Sequence, residues 1–216
     1  VKKTLFFDLD GTLTNSSPGI VACLEHALTA LSIEPPPRDA LKKLVGPPLR
    51  DAFIGLLGPG REGLVDEAVE LYRGRFRDTG MFENSVYPGV IEGLTVLSGR
   101  GHRLFVVTAK PHVFAERIAS HFGFRSFFEK VYGPEFSGER ADKRDLIAHV
   151  VAQERLDPRN ALMIGDRSHD VIGAKHNGVD AVGVLWGYGS REELLEAGAA
   201  GLFTSMPDLV RHLASG

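Results

Sequence analysis

Sulfur and tryptophan are scarce in this chain, which has one cysteine, one tryptophan and three methionines among 216 residues. A lone Cys23 closes no internal disulfide, and no charged-then-apolar leader opens the sequence, so a reducing cytoplasmic setting is expected. No apolar run approaches the ~18–20 residues that cross a bilayer, so no membrane partner is expected. Positive charge is not in surplus either. The 25 Lys and Arg are scattered and are outnumbered by 28 Asp and Glu, giving a formal net charge of −3. That balance argues against a nucleic-acid partner and leaves small anionic ligands open. Eight histidines are present, none paired at a spacing typical of zinc ligands. Repeats and low-complexity tracts are absent. What remains is an ordinary globular composition, 43% hydrophobic, in a length that suits one domain carrying an insertion.

Two textures alternate along the chain. From Arg103 onward, short apolar runs are each followed by an amphipathic stretch: "RLFVVTA" by "PHVFAERIASHF", "EKVYG" by "KRDLIAHVVAQE", "NALMIGD" by "HDVIGAKHNG", and "DAVGVLW" by "REELLEAG". Phe114, Ile118 and Phe122 share one helical face in the first such stretch, and Leu146, Ile147, Val150 and Val151 share one in the second. These are βα units, which predict an α/β fold with a parallel sheet covered on both faces; "TLFF" near the front is another strand. Residues 15–85 carry helical signals and no convincing strand. "PGIVACLEHALTALSI" puts Ile20, Leu24, Leu28 and Leu31 on one stripe, and breaks at "EPPP", "GPP" and "GPGREG" separate the helices that follow. The βα alternation begins before this segment and resumes at "YPGVIEGLTVLSGRG". A small all-α domain over 15–85 is therefore expected as an insertion after the first strand, with 1–14 and 86–216 forming the α/β core.

Ligands of an open parallel sheet bind beyond the carboxyl ends of its strands, and there the polar residues gather. The first strand runs into Asp8-Leu9-Asp10-Gly11-Thr12. "LFVVT" ends in Thr108, Lys143 opens the helix after "EKVYG", and "ALMIG" ends in Asp166 with Asp170 a helical turn later. With alternating side chains, Asp8 and Asp10 leave on the same side insofar as the strand stays extended. Each residue singly has an ordinary explanation as a turn or a helix cap. Turn formation does not ask for all of them in this order at one sheet edge. An EF-hand is excluded, because counting from Asp8 the loop's Gly position holds Leu13 and its final Glu position holds Gly19. Three carboxylates converging in a cleft repel one another unless a cation joins them, and a hard, oxygen-preferring ion such as Mg²⁺ suits that site and suits phosphoryl transfer.

At "FDLDGTL", "VVTAK", "ADKRD" and "IGDRSHD" the chain resembles the haloacid dehalogenase superfamily, over essentially its whole length. It looks like the phosphatases with a helical cap inserted after the first motif, and "VGPPLRDAF" and "YPGV" point to the phosphoglycolate phosphatase and 5′-nucleotidase-like group. The resemblance implies a Rossmann-like core and a Mg²⁺-dependent phosphatase working through an aspartyl-phosphate on a small phosphorylated metabolite. Asp8 would be the nucleophile and Asp10 the acid, then base. Asp8, the Asp10 main-chain carbonyl, Asp166 and Asp170 would bind Mg²⁺. Gly11, Thr12, Thr108, Ala109 and Lys143 would hold the phosphoryl group, and Arg50 of the cap would meet a polar or anionic part of the substrate. Family members often have Pro after the motif-three Lys; here Arg144 follows Lys143, and Arg140 is its competitor for the role.

Phosphoglycolate is the leading substrate on this resemblance, with a nucleoside monophosphate, pyrophosphate, a sugar phosphate or a phosphohexomutase reaction as alternatives. Asp10 and Asp166 argue against dehalogenase activity, for which the second acid and the metal carboxylates are lacking. A phospho-aspartate receiver also uses Asp, Thr and Lys at a sheet edge, but its phosphoacceptor closes a later strand. A non-enzymatic regulatory descendant is disfavoured by the full set of carboxylates. A monomer or a homodimer is equally compatible with the sequence.

Overall fold

A computed structural model describes residues 2–46 and 48–215. Pro47 of the "VGPPLR" segment, and the end residues Val1 and Gly216 of the expected core, lie outside the described residues. The chain divides into two compact units, Val1–Asn15 with Val86–Gly216, and Ser16–Ser85.

β1 (Thr4–Phe7) opens the first unit, and every residue of it is buried. The second unit follows as α1 (Ser17–Ala30), α2 (Arg38–Lys42), α3 (Leu49–Leu57) and α4 (Val65–Arg75), ending in a wide helical turn over Phe76–Gly80. Ile20, Leu24 and Leu28 of α1 are buried as their spacing predicts, whereas Leu31 falls past the helix end and is half-buried. Phe53 of α3 meets Tyr72 of α4 edge-on, and Tyr72 stacks on Phe76 with centroids 5.6 Å apart. At the unit's end Arg75 holds Glu83 through two hydrogen bonds of 2.7 and 3.0 Å and donates to the buried Cys23 sulfur at 3.3 Å.

The first unit resumes with α5 (Val90–Gly99), β2 (Arg103–Val107), α6 (His112–His121), β3 (Lys130–Tyr132), α7 (Lys143–Gln153), β4 (Ala161–Gly165), α8 (Ser168–His176), β5 (Asp180–Val184), α9 (Arg191–Ala197), β6 (Leu202–Phe203) and α10 (Met206–Ser215). Its sheet has six strands in the order β3-β2-β1-β4-β5-β6, all pairs parallel. The α/β fold class and parallel sheet expected from the βα texture are therefore what the structure has. β6 and α10 have no counterpart among the sequence-predicted elements. A two-residue edge strand carries almost no periodicity, but Met206, Leu209 and Leu213 of α10 are buried at helical spacing, so that signal was available. Phe122 falls beyond α6 and is half-buried; Phe124, after the turn, is the ring that fills the core.

Alternation sorts the strands into two faces. Phe6, Phe105, Val107, Ala161, Met163 and Ala181 pack with Leu146, Ile147 and Val150 of α7, Val171 and Ala174 of α8 and Leu194 of α9. On the other parity, Phe7 meets Phe128 edge-on. Phe105 sits centrally, fully buried and edge-on to Phe6 with centroids 6.0 Å apart. Phe105→Ala is expected to destabilise the protein by about 3–5 kcal/mol, read as a lower midpoint in chemical denaturation; a loss under about 1 kcal/mol would contradict this packing.

β1 is central, flanked by β2 on one side and β4 on the other. The chain crosses to one side of β1, then returns to its opposite side. Such a switch point leaves a crevice at the carboxyl end of the central strand, and Asp8 follows directly there.

Candidate active site

Asp8 keeps the parity of Phe6, which directs it toward the face covered by α7 and α8. α7 begins where Asp142 caps it, its side chain accepting from the Arg144 N–H at 2.7 Å, and this puts Lys143 in the first helical turn. The Lys143 Nζ donates to Asp8 Oδ1 at 2.8 Å and to the Val107 carbonyl at 2.8 Å. It also lies 2.8 Å from Asp170 Oδ1, an ion pair in which that oxygen gains no well-directed hydrogen bond. The other oxygen of Asp170 accepts from the Arg167 N–H at 3.2 Å and caps α8. Asp170 thus serves the helix with one oxygen and the site with the other.

Asp166 follows β4 directly and is fully buried. Its Oδ2 accepts from the Tyr188 main-chain N–H at 2.7 Å, and its Oδ1 accepts from the Thr12 hydroxyl at 3.3 Å. Two glycines make room for it. Gly11 has φ +84°, and a Cβ there would come within 2.1 Å of Asp166 Oδ2; at Gly187 a Cβ would come within 2.4 Å of the Asp166 Cβ. The "LWGYG" segment after β5 therefore lies tight against the site, with the Trp186 indole N–H donating to the Thr12 carbonyl at 3.0 Å and the Tyr188 hydroxyl bonded to Asn15 at 3.2 Å. Sequence reasoning missed this strap. Its alternating glycines at the end of a parallel strand were the available sign of a close backbone approach.

Asp8, Asp166 and Asp170 each offer an oxygen within 4.8 Å of the others. All three are buried, and the charges are only partly compensated. Burial pushes the Asp8 carboxyl up, Lys143 opposes this, and Asp170 adds to it, leaving Asp8 above the ordinary carboxylate range. Asp166 is pushed well above that range by burial, then by Asp8 and Asp170. At Asp170 burial is outweighed by Lys143 and His169, which hold it low. Lys143 is held above its usual value, since Asp170 and Asp8 overcome its burial. Beside them, burial and the Asp166 charge push the Tyr87 phenol up to about 12. Two buried carboxylates whose ionisation is resisted, Asp8 and Asp166, beside an ionised Asp170 whose Oδ1 lacks a directed donor, fit a divalent cation that brings the missing charge.

Thr108 is buried after β2, and its hydroxyl accepts from the Lys110 N–H at 3.2 Å; Ala109 beside it is half-buried. Asp10 does not share the surroundings of Asp8. The extended strand ends at Phe7 and Leu9 opens a turn, its carbonyl accepting from the N–H groups of Leu13 and Thr14. Period-two alternation stops there, and Asp10 meets Lys110, Nζ to Oδ2 2.8 Å, a partner that sequence reasoning did not assign. Arg140 pairs with Glu135 and Glu139, leaving Lys143 as the cation on Asp8. Arg50 belongs to the helical unit, where its exposed guanidinium pairs with Asp66.

The pattern that defines the haloacid dehalogenase-like hydrolases matches residues 5–184. A 5′-nucleotidase of Pseudomonas aeruginosa is 47% identical over 190 residues, covering 88% of this chain and 86% of its own. The tyrosine-protein kinase PtkA of Mycobacterium tuberculosis is 41% identical over 185 residues, 86% of this chain, which spans 62% of that longer relative. The crystal structure of a predicted phosphatase from Clostridium acetobutylicum superposes with a TM-score of 0.93 at 36% identity, over 100% of both chains. With the family pattern running through most of the chain and with relatives this similar over nearly all of it, the protein belongs to the haloacid dehalogenase-like hydrolases.

Proposed function

We propose that this hydrolase is a Mg²⁺-dependent phosphomonoester phosphatase that works through an aspartyl-phosphate on Asp8. The observation that carries the reading is the Lys143 ammonium 2.8 Å from Asp8 Oδ1, inside a buried trio of carboxylates. A carboxylate oriented by a cation beside a cation-fitting site is placed to attack phosphorus. The Asp8 oxygen forms the new P–O bond as the bond to the leaving oxygen breaks, and Asp10 gives that oxygen its proton. Asp10 then takes a proton from water, whose oxygen attacks phosphorus and releases phosphate, returning Asp8 to its carboxylate. Thr108 holds a phosphoryl oxygen through its hydroxyl together with the Ala109 main-chain N–H, Lys143 adds charge, and Gly11 and Thr12 line the loop beside it, their own N–H groups donating to the Thr14 and Leu9 carbonyls. Asp8, the Asp10 carbonyl, Asp166 and Asp170 would hold the Mg²⁺, which supplies positive charge against the phosphoryl oxygens.

The helical unit is proposed as the cap, with Arg50 exchanging Asp66 for a polar group of the substrate. The name of the Pseudomonas relative favours a nucleoside 5′-monophosphate over phosphoglycolate, the leading substrate on the family resemblance. Purified protein is expected to release inorganic phosphate from these esters with Mg²⁺ and to lose that activity with a chelator. Phosphate passed to another hydroxyl instead would overturn hydrolysis in favour of a mutase or kinase.

Mg²⁺ is also expected to raise Tm, less so as pH falls. Burial raises Asp8 and Asp166, so the stability associated with their protonated forms is full below the unfolded value of about 4 and is lost as pH rises through their folded values. The cation restores it where they are ionised. A Mg²⁺-induced shift equally large at pH 5 and pH 8 would contradict this linkage.

A further inference from the structure

Lys110 is the buried cation that the proposed chemistry leaves without a role. Its side chain is 6% exposed, and its Nζ lies 2.8 Å from Oδ2 of Asp10, itself 14% exposed. Burying an ammonium with a carboxylate contributes little net stability, because desolvation offsets the attraction. The segment that carries Lys110 is held firmly. Its N–H donates to the Thr108 hydroxyl at 3.2 Å, and its carbonyl lies where a Cβ on Gly133 would approach to 2.2 Å, so the two backbones are in close contact. Only one oxygen of Asp10 is taken by this pair. Oδ1 is also buried and has no hydrogen-bond partner among the described residues. A buried polar atom without a partner is costly, and in a site built for a reactant it marks where the reactant's polar atom goes.

We infer that Lys110 is a positioning residue, which holds Asp10 by Oδ2 so that Oδ1 is the oxygen that exchanges protons with the leaving group and then with water. The inference rests on the proposed role of Asp10 as acid and base. Asp10 lies inside the turn that Leu9 opens, beyond the end of β1, and has no strand to fix its rotamer, while Asp8 is fixed by Lys143. Two lysines from separate βα units thus sort two neighbouring carboxylates into separate tasks. Lys143 serves the one that bonds to phosphorus, and Lys110 serves the one that moves the proton.

The test is the dependence of rate on the leaving group. An alkyl phosphate needs its leaving oxygen protonated, whereas 2,4-dinitrophenolate departs without a proton. The parameter kcat/KM covers the steps through departure and so isolates the first proton transfer. For Lys110→Met, kcat/KM on an alkyl phosphate is expected to fall roughly 10²-fold, the lower range of a general-acid contribution. On 2,4-dinitrophenyl phosphate it should fall no more than about threefold, with kcat and KM falling together because the later water-activation step limits turnover. Lys110→Arg should recover part of the alkyl-phosphate rate. Equal losses on both esters, or a rise in KM as the main effect, would overturn the inference and make Lys110 a packing or substrate-anchoring residue. If Lys110→Met does not fold, the arginine variant decides: a steeper leaving-group dependence than the native enzyme supports positioning, and an unchanged one overturns it. Failure of the underlying reading looks different, since the native enzyme would then turn over neither ester or Asp8→Asn would stay active on both.

Discussion

Asp8→Asn is expected to abolish phosphate release, with kcat at least about 10⁴-fold below the native enzyme, the scale seen when a covalent nucleophile is removed. Asn keeps the shape of the side chain but not an oxygen able to form the covalent bond. The stability outcome should run the other way. Burial, with Asp170, holds the Asp8 carboxyl above its ordinary range despite Lys143, so ionising it costs more in the folded protein than in the unfolded chain. A neutral isostere removes that penalty, and Lys143 keeps its ion pair with Asp170. In chelator, Tm of Asp8→Asn should therefore equal or exceed that of the native protein, while the Mg²⁺-induced rise should shrink. Full activity in this variant would refute the proposed chemistry. Loss of activity together with unfolding would refute the electrostatic description of the site.

Lys143→Met should be destabilising where Asp8→Asn is not. The Lys143 side chain is 3% exposed, and it is the cation lying between Asp8 and Asp170, with a further hydrogen bond to the Val107 carbonyl. Methionine fills similar space without charge. Removing one partner of a buried ion pair costs about 3–5 kcal/mol, which for a chain of this length lowers Tm on the order of 10 °C. Without Lys143, Asp8 and Asp170 also lose the interaction that favours their ionised forms. Their protonation then relieves part of the repulsion, so the deficit in chelator should be larger at pH 8 than at pH 5. Mg²⁺ should narrow it by replacing some of the lost charge, although activity stays low because the cation that orients Asp8 is gone. A variant within about 2 °C of the native Tm in chelator at pH 8 would show that Lys143 is not what offsets the buried acids.

The site was legible to the extent that it is punctuated in the chain. Asp8, Thr108, Lys143 and Asp166 each stand at the end of an apolar strand or at the start of the helix that follows, and the sheet brings these positions to one edge. Asp170 was visible for the same reason, although its cap on α8 shows that the ordinary explanation holds alongside the functional one. Lys110 was less visible because its importance lies in its partner. Asp10 and Lys110 are 100 positions apart, and the turn at Leu9 that sends Asp10 to Lys110 is a backbone event that strand periodicity does not encode. The strap of Trp186 to Tyr188 was hidden differently. Tyr188 acts on Asp166 through a main-chain N–H, a group that every residue but proline possesses.

The sequence by itself determined the α/β class, the helical segment after the first strand and the set of acids at the strand ends. Apolar periodicity and strand–helix alternation are local properties, written in neighbouring residues. Only the tertiary structure decided that β1 lies between β2 and β4, that Asp166 rests under Gly11 and Gly187, and which lysine faces which aspartate. Those outcomes depend on distances across the sheet edge, where a shift of a few ångströms exchanges one buried charge partner for another. The energy of a buried charge varies steeply over such distances, so the pairing of Asp8 with Lys143 and of Asp10 with Lys110 is a property of the folded protein.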